Sequence, residues 1–308
     1  MTVRIGMGPG LGAGLSAQEY WQWIDLCERV GIDSVWHSDQ LLGQTLEPVT
    51  MLAALAGRTN RMRFGTSAIV APFRDPVVLA KEFATIDYLS GGRLLPVLGV
   101  GNASDAYWAA TGTPTAGRGS KTDEMIKLIR LLLEQAEVAF EGQHYRYHGT
   151  GLHPRPAKPV PLWIGGNTQA AFTRTALLGD GWLGSMIGPA QAGEARASIE
   201  AGLRTSGRTI DPDHYGMTLM MRLGDKDDPA MVQALERLSA RMPPETRHSA
   251  ADMVVAGTPT AAIATLRRYV DAGMSKFVLI PMAQDSTELL RQTELLAAEV
   301  LPAIETRR

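Results

Sequence analysis

Short apolar runs alternate with amphipathic helical stretches along almost the whole chain. The runs predicted as strands are residues 3–8, 34–38, 63–70, 94–100, 162–165, 181–186, 215–223 and 276–281. The stretches predicted as helices are residues 16–31, 48–58, 76–89, 122–135, 168–178, 194–203, 260–272 and 287–304. Strands that alternate with helices indicate βα units and a parallel sheet, because parallel strands need a long crossover between them.

One segment, residues 63–102, contains a complete βαβ unit. Asp75-Pro76 is a typical helix start, and Gly91-Gly92 makes a tight turn before the next apolar strand. Eight such units are the number that a (β/α)8 TIM barrel needs, whereas a doubly wound sheet usually has fewer. The pattern therefore predicts a single α/β TIM-barrel domain over residues 1–308, with its chemistry at the C-terminal ends of the strands.

Two segments are longer than a barrel loop needs and are predicted insertions, one after strand 4 and one after strand 7. The first contains a hairpin with strands at 138–140 and 143–147 and a proline-rich connector at 154–161. The second is polar and helix-prone, residues 229–256. Both are expected to shape a substrate pocket.

Composition narrows the classes of partner. The 308 residues are 45% hydrophobic and 20% charged, with a net charge of −2 and no basic run, so nucleic acid and anionic membrane are not expected partners. The single cysteine, Cys27, lies on an apolar helical stripe and excludes an intrachain disulfide or a cysteine-cluster metal site. No signal peptide or membrane span is recognised, so we expect a cytoplasmic protein that binds small molecules and has no metal site.

The glycines at Gly8, Gly10 and Gly12 superficially fit a dinucleotide-binding fingerprint after the first strand. In that fingerprint the helix begins inside the glycines, but here the capping box of Ser16 and Glu19 starts the helix later. A loop over a barrel mouth is therefore the preferred interpretation.

Candidate chemistry follows strand 2, where His37 and Asp39 share one face by strand alternation. A carboxylate can orient an imidazole, and histidine titrates near neutral pH, so both are predicted catalytic residues. The alternative is that His37 is satisfied in the core and Asp39 caps a turn. If that face points away from the barrel interior, Trp36, Ser38 and Gln40 line the site instead.

Further candidates lie where other strands end. Gly165 and Gly166 close strand 5, and the next helix begins at Thr168 without a spacer. Free amides at a helix N-terminus, approached over residues that lack a Cβ, are typical of a phosphate site. The complete set of predicted cofactor-binding residues is Asp39, Gln40, Ser67, Ala68, Gly101, Asn102, Gly165, Gly166, Asn167 and Thr168.

An ordered set of short motifs resembles the luciferase-like monooxygenase family, which includes bacterial luciferase relatives and coenzyme F420-dependent oxidoreductases. The matching stretches are residues 31–39, 65–67, 87–93, 98–101, 161–167, 179–182, 257–259, 269–273 and 277–279. The resemblance implies a TIM barrel with insertions, a flavin or deazaflavin at its C-terminal mouth, and frequent homodimers. It also implies a non-proline cis peptide at Ser67-Ala68 that supports the ring.

The resemblance has one departure. Deazaflavin-dependent members commonly read Asp-His after strand 2, whereas this chain reads Asp39-Gln40. Glutamine does not exchange a proton at neutral pH, so His37 or Asp39 takes the acid–base role, or the proton comes from substrate or water.

These features predict an oxidoreductase in which reduced coenzyme F420 transfers hydride to a small organic substrate. Arg74 and Arg118 follow strands 3 and 4 and could bind the anionic tail of that coenzyme. The alternative is an FMN-dependent monooxygenase, and a second alternative is a non-catalytic cofactor-binding barrel.

Overall fold

The computed structural model describes residues 2–10, 14–225, 228–241 and 253–305, and its barrel strands fall where the apolar runs predict. The strands are β1 Arg4–Met7, β2 Ser34–His37, β3 Arg63–Thr66, β4 Ile69–Val70, β5 Leu94–Leu95, β6 Val97–Gly99, β7 Glu137–Glu141, β8 Arg146–Thr150, β9 Trp163–Gly165, β10 Gly181–Ser185, β11 Tyr215–Leu223, β12 Val254–Gly257 and β13 Lys276–Pro281.

The helices follow the strands in the order that βα units require. They are α1 Ala17–Val30, α2 Pro48–Arg58, α3 Pro76–Ser90, α4 Tyr107–Thr111, α5 Arg118–Glu134, α6 Gln169–Leu178, α7 Pro189–Ser206, α8 Pro229–Arg241, α9 Pro259–Asp271, α10 Ser286–Leu295 and α11 Leu301–Ile304. A π-helical turn, Leu296–Val300, joins the last two. In the ranges the structure describes, no helix is both long and apolar enough to cross a membrane.

The sheet closes into the predicted barrel. Parallel pairing runs from β1 to β2, β3, β5, and from β4 to β6, β9, β10, β11, β13 and back to β1. The segments β3 and β4 are one strand interrupted at residues 67–68, and β5 and β6 are one strand interrupted at Pro96. The hydroxyl of Thr66 bridges this gap, accepting from the Val97 N–H at 2.9 Å and donating to the Val97 carbonyl at 3.0 Å.

Two hydrophobic layers hold the barrel together. One fills its interior with the side chains of Trp36, Leu95, Val97, Trp163, Leu183 and Val278. The other lies between the strands and the surrounding helices. The bulk of Trp36 requires a glycine beside it, since a Cβ on Gly65 would lie 2.6 Å from the indole ring. The interior is thus a packed core, as in other TIM barrels.

Local signals at the helix ends are confirmed. Ser16 and Glu19 form the predicted capping box of α1, and Gly31 ends that helix with φ of 91°. Asp75 caps α3 by accepting from the N–H groups of Val77 and Val78, with Pro76 in the first turn.

The predicted boundaries of the first insertion were wrong in detail. The hairpin strands are β7 and β8, and residues 143–145 form the turn rather than the start of a strand. The cause is Glu124 on α5, whose carboxylate accepts from the N–H groups of Gln143, His144 and Tyr145 at 2.7–3.1 Å. Helix α5 also begins at Arg118, four residues before the predicted start at Thr122.

Two parts of the second predicted insertion, residues 229–256, form regular secondary structure. Residues 229–241 form α8, and the final residues begin β12, an added strand that pairs with the upper end of β11. Residues 242–252 lie outside the described residues, as do residues 11–13 of the glycine-containing N-terminal loop.

Candidate active site

The inward-facing side chains are large in the barrel core and mostly small at the mouth. In the core they carry Trp36, Trp163 and other large side chains. At the C-terminal ends, the next inward positions on six strands are small: Gly8, Ser38, Ala68, Gly99, Gly165 and Ser185. Small side chains above a packed floor leave space in which a flat ring could lie.

The cis peptide at Ser67-Ala68 is present, as the resemblance implied. It separates β3 from β4 and places the Ala68 methyl group toward β6 and β9. A Cβ added to Gly99 would lie 3.5 Å from the Ala68 Cβ, and one added to Gly165 would lie 3.0 Å from it. Ala68, Gly99 and Gly165 therefore form a cradle, a name used below for these three residues, which a larger side chain would fill.

The N-terminus of α6 provides the free amides expected of a phosphate site. Thr168 is the N-cap, and its hydroxyl accepts from the Ala171 N–H at 3.2 Å. The N–H groups of Gln169 and Ala170 have no acceptor within the helix, and both residues are exposed. Gly166 differs from the expectation, because its N–H donates to the Leu183 carbonyl at 3.4 Å.

Asn167 connects two strand ends. Its side-chain amide donates to the Ser185 carbonyl at 2.5 Å, and its Oδ1 accepts from the Ser185 N–H at 3.2 Å. This double hydrogen bond fixes the end of β10 relative to the start of α6. Asn167 thus helps to position the amides of α6.

Gly101 and Asn102 have structural contacts of their own. Gly101 has φ of 70°, and a Cβ there would come within 2.7 Å of the Val70 side chain. The Asn102 carbonyl accepts from the indole N–H of Trp108 at 2.8 Å. These contacts join the end of β6 to α4, and a cofactor contact at either residue stays a prediction.

His37 lies on the helix-facing side of β2. Its Nε2 is 2.9 Å from the hydroxyl of Tyr20 on α1, and its side chain is buried. Burial lowers the pKa of His37 to about 4 and raises the pKa of Tyr20. The imidazole is therefore neutral near pH 7 and faces away from the barrel interior, so this placement does not support the predicted acid–base role.

Asp39 continues on the same side and is engaged in an ion-pair network. Its Oδ2 accepts from the Val70 N–H at 2.9 Å and from Arg74 at 2.5 Å, and Arg74 also donates to Glu47 at 2.8 Å. Burial opposes the charge of Arg74, but the hydrogen bonds and attraction of the two carboxylates outweigh it and raise its pKa. Asp39 thus ties the end of β2 to β4, next to the cradle.

The arrangement matches the second of the two alternatives for β2, in which Trp36, Ser38 and Gln40 line the site. Trp36 packs inside the barrel. Gln40 is half-buried, and its side chain lies against Gly43, where an added Cβ would meet Oε1 at 2.7 Å. Ser38 and Gln40 carry uncharged hydrogen-bonding groups, and a contact of either with a ligand stays a prediction.

Gly99 of the cradle and three further inward residues are absent from the predicted set of site residues. Ser185 ends β10, while Met220 on β11 and Ile280 on β13 are register partners. Met220 and Ile280 are half-buried, one inward step above the buried Thr218 and Val278. Alternation along β11 and β13 could have indicated them, because inward positions recur every second residue.

The family of the chain follows from its sequence. A model of the luciferase-like monooxygenase family matches residues 1–276. The chain belongs to this family. The resemblance drawn from the short motifs is thereby confirmed.

Two curated relatives align along almost their whole length. The chain is 29% identical over 308 residues to the F420-dependent glucose-6-phosphate dehydrogenase of Kineococcus radiotolerans, covering 90% of each chain. It is 30% identical over 313 residues to the enzyme of the same name from Amycolatopsis mediterranei, covering 90% of this chain and 91% of the relative.

Solved structures show the same fold. An F420-dependent secondary alcohol dehydrogenase in complex with an F420-acetone adduct has a TM-score of 0.83 at 22% identity, over 99% of this chain and 100% of that one. A monooxygenase from Streptomyces bottropensis has a TM-score of 0.84 at 22% identity, over 97% and 99%. These similarities show that the chain has the fold of these two enzymes.

Proposed function

We propose that the chain is an oxidoreductase that uses coenzyme F420 to exchange hydride with a small organic substrate. The observation that carries this proposal is the 29–30% identity, over nine-tenths of the chain, to relatives named as F420-dependent dehydrogenases. The mouth of the barrel supports it, because the cradle and the exposed amides of α6 suit a planar ring and a phosphate.

The residues present fit such a cofactor. Ala68, Gly99 and Gly165 leave a flat surface above the tryptophan-filled interior, where a tricyclic ring could rest. The free N–H groups of Gln169 and Ala170 point from a helix N-terminus, which favours an anionic phosphate. When bound, the deazaflavin supplies hydride chemistry, and the protein supplies binding and orientation.

The chain's own residues provide little acid–base chemistry at the ring site. His37 is neutral and bonded to Tyr20, and Asp39 is paired with Arg74. Gln40 can donate a hydrogen bond to a substrate oxygen but cannot take up a proton. Water or the substrate therefore supplies or accepts the proton, and Gln40 positions the reacting group.

The alternative is an FMN-dependent monooxygenase, whose single phosphate would fit the same amides. Arg74 was expected to favour coenzyme F420 over FMN by binding the anionic tail of coenzyme F420. Two carboxylates hold Arg74, so it is not free to bind that tail. Arg118 is better suited, since its buried Nε has no hydrogen-bond partner among the residues that the structure describes. Direct binding of each cofactor decides between the two.

The experiment is a fluorescence titration of coenzyme F420 and of FMN with the wild type and Gly99→Val. A Cβ on Gly99 makes only ordinary contacts of 3.5–3.6 Å, so the fold should persist while the added side chain fills the cradle. We expect wild type to prefer coenzyme F420 and Gly99→Val to bind it at least about tenfold more weakly.

The matched control is Gly57→Ala on α2, where an added Cβ meets nothing within 4 Å. If Gly99→Val and wild type bind the coenzyme with equal affinity, the ring does not occupy the cradle. Preference for FMN would favour the monooxygenase, and cofactor binding without turnover of any substrate would favour the non-catalytic alternative.

We also propose that the chain forms a homodimer through α2 and α3 and acts in the cytoplasm. A groove between these helices has apolar lining from Val49, Ala53, Val78 and Ile86 and a charged rim that includes Lys81 and Glu82, and Val78 is 57% exposed. A second copy could cover this apolar groove. Sedimentation velocity should give a dimer for the wild type and a monomer for Val78→Glu, and a monomeric wild type would contradict the proposal.

A further inference from the structure

The barrel mouth has two unlike halves. The half formed by β4, β6, β9 and β10 carries the cradle and Ser185, which are small. The half formed by β11, β13 and β1 carries a continuous apolar surface made by Met220 and Ile280. These two side chains are adjacent because their backbones are register partners.

This apolar surface reaches across to β1. A Cβ on Gly8 would lie 3.5 Å from Cγ1 of Ile280, so the isoleucine side chain leans over the end of β1. Thr218 and Val278, one inward step lower, are buried, whereas Met220 and Ile280 are half-buried. Met220 and Ile280 are therefore half-buried apolar side chains just above the barrel core, opposite the cradle.

The arginine closest to this surface along β11 already has two acidic partners, although its buried Nε has no hydrogen-bond partner among the described residues. Arg222, two residues beyond Met220, is 4% exposed. Its Nη1 donates to Met282 O at 3.1 Å and lies 2.9 Å from Glu288 Oε1, while Nη2 lies 3.5 Å from Asp228 Oδ2. A phosphate would have to compete with two carboxylates for this guanidinium, which disfavours a phosphorylated ligand here.

On the other side of the mouth, Arg74 is held in the same way by Asp39 and Glu47. Gln40, which follows Asp39, offers only a neutral amide. An apolar wall beside neutral hydrogen-bonding groups favours a ligand that has an apolar body and one uncharged polar group.

We infer that the substrate is an uncharged carbonyl or hydroxyl compound with an apolar body, held against Met220 and Ile280, rather than a phosphorylated sugar. This inference rests on the proposed function, since it assumes that the ring occupies the cradle. It separates the chain from the relatives whose names specify glucose 6-phosphate.

The test measures binding, with cyclohexanone, cyclohexyl phosphate and glucose 6-phosphate as probes. Calorimetric or NMR titrations are made on the protein with and without coenzyme F420. We expect cyclohexanone to bind at least about tenfold more tightly than either phosphate ester. Tighter binding of a phosphate ester, equal binding, or no binding of cyclohexanone would overturn the inference.

Variants locate the probe. Met220→Gln keeps the side-chain length but adds an amide that must be desolvated, and we expect about five- to tenfold weaker cyclohexanone binding. Leu177→Gln, an exposed leucine on α6, is the control and should bind like wild type. If Met220→Gln does not fold, Ile280→Thr is used instead, and it should weaken cyclohexanone binding by the same amount. Unchanged cyclohexanone affinity in the folded variant would overturn the inference.

Coenzyme F420 affinity is measured in the same samples. Failure of the wild type to bind the coenzyme would contradict the proposed function. Normal coenzyme binding together with a preference for the phosphate esters would contradict only the substrate class.

Discussion

Nε2 of His37 lies 2.9 Å from the hydroxyl oxygen of Tyr20, and this contact holds the imidazole between β2 and α1. Both side chains are buried. The histidine that the sequence suggested for proton transfer is thus part of the layer between the barrel and its helices. His37 is close in sequence to the residues at the mouth, but its side chain points toward α1 instead.

The first prediction concerns turnover. Because His37 faces α1, we expect His37→Gln to change the rate constant for oxidation of bound reduced coenzyme F420 by less than about threefold, far below the roughly 10²–10⁴-fold effect of a positioned acid or base. Single-turnover measurements between about pH 5 and 9 should give the same profile as wild type. A loss of about 10²-fold or a displaced profile would restore His37 as the acid–base residue.

The second prediction concerns stability against pH. The pKa of His37 is lowered from 6.5 to about 4 in the fold, so the unfolded chain takes up the proton first as pH falls. This contribution is fully present above pH 6.5 and is lost between about 6.5 and 4, on the order of 3 kcal/mol in the free energy of unfolding.

Denaturant unfolding at a series of pH values checks this. His37→Gln should lose most of the decline in that window. His148→Gln, which replaces an exposed histidine on β8, should keep it. A decline of equal steepness in wild type and His37→Gln would show that other groups cause it.

The third prediction concerns Asp39. Asp39→Asn leaves Arg74 with Glu47 alone and weakens the bond to the Val70 N–H, so the free energy of unfolding should fall by roughly 2–4 kcal/mol. Coenzyme affinity should also fall, because Val70 lies two residues beyond Ala68 of the cradle. Asp25→Asn removes a surface pair with Arg58 in which both side chains are 49% exposed, and should cost less than about 1 kcal/mol. Equal costs for the two variants would show that the Asp39 network has no special role.

The fourth prediction tests the phosphate site without adding a side chain to Gly166, whose φ of 126° would strain any other residue. Gln169 is the first residue of α6, a position where proline is tolerated. Gln169→Pro removes one free N–H and should weaken coenzyme binding by about tenfold or more while the helix persists.

Gln169→Ala is the matched control, since it also loses the side-chain contact with Ser198 but keeps the N–H. Circular dichroism should be the same for both variants. If the two variants bind the coenzyme equally, the phosphate does not contact this amide.

Much of the fold could be predicted because its signals are local. Ser16 and Glu19 begin α1, Asp75 and Pro76 begin α3, and each apolar run became a barrel strand. The hairpin was placed less well, because its turn is fixed by Glu124 on a different element. A hydrogen bond between residues that are distant in sequence produces no periodic pattern of apolar and polar residues.

The sequence by itself determined the eight βα units, the family, and the small residues at the ends of the strands, since periodicity, caps and glycine turns are properties of neighbouring residues. Only the tertiary structure decided which face of each strand points inward. As a result, His37 contacts Tyr20 and Asp39 pairs with Arg74, while Met220 lies beside Ile280 opposite the cradle. Alternation tells which residues share a face, but only packing against the helices and closure of the barrel select the face that is buried.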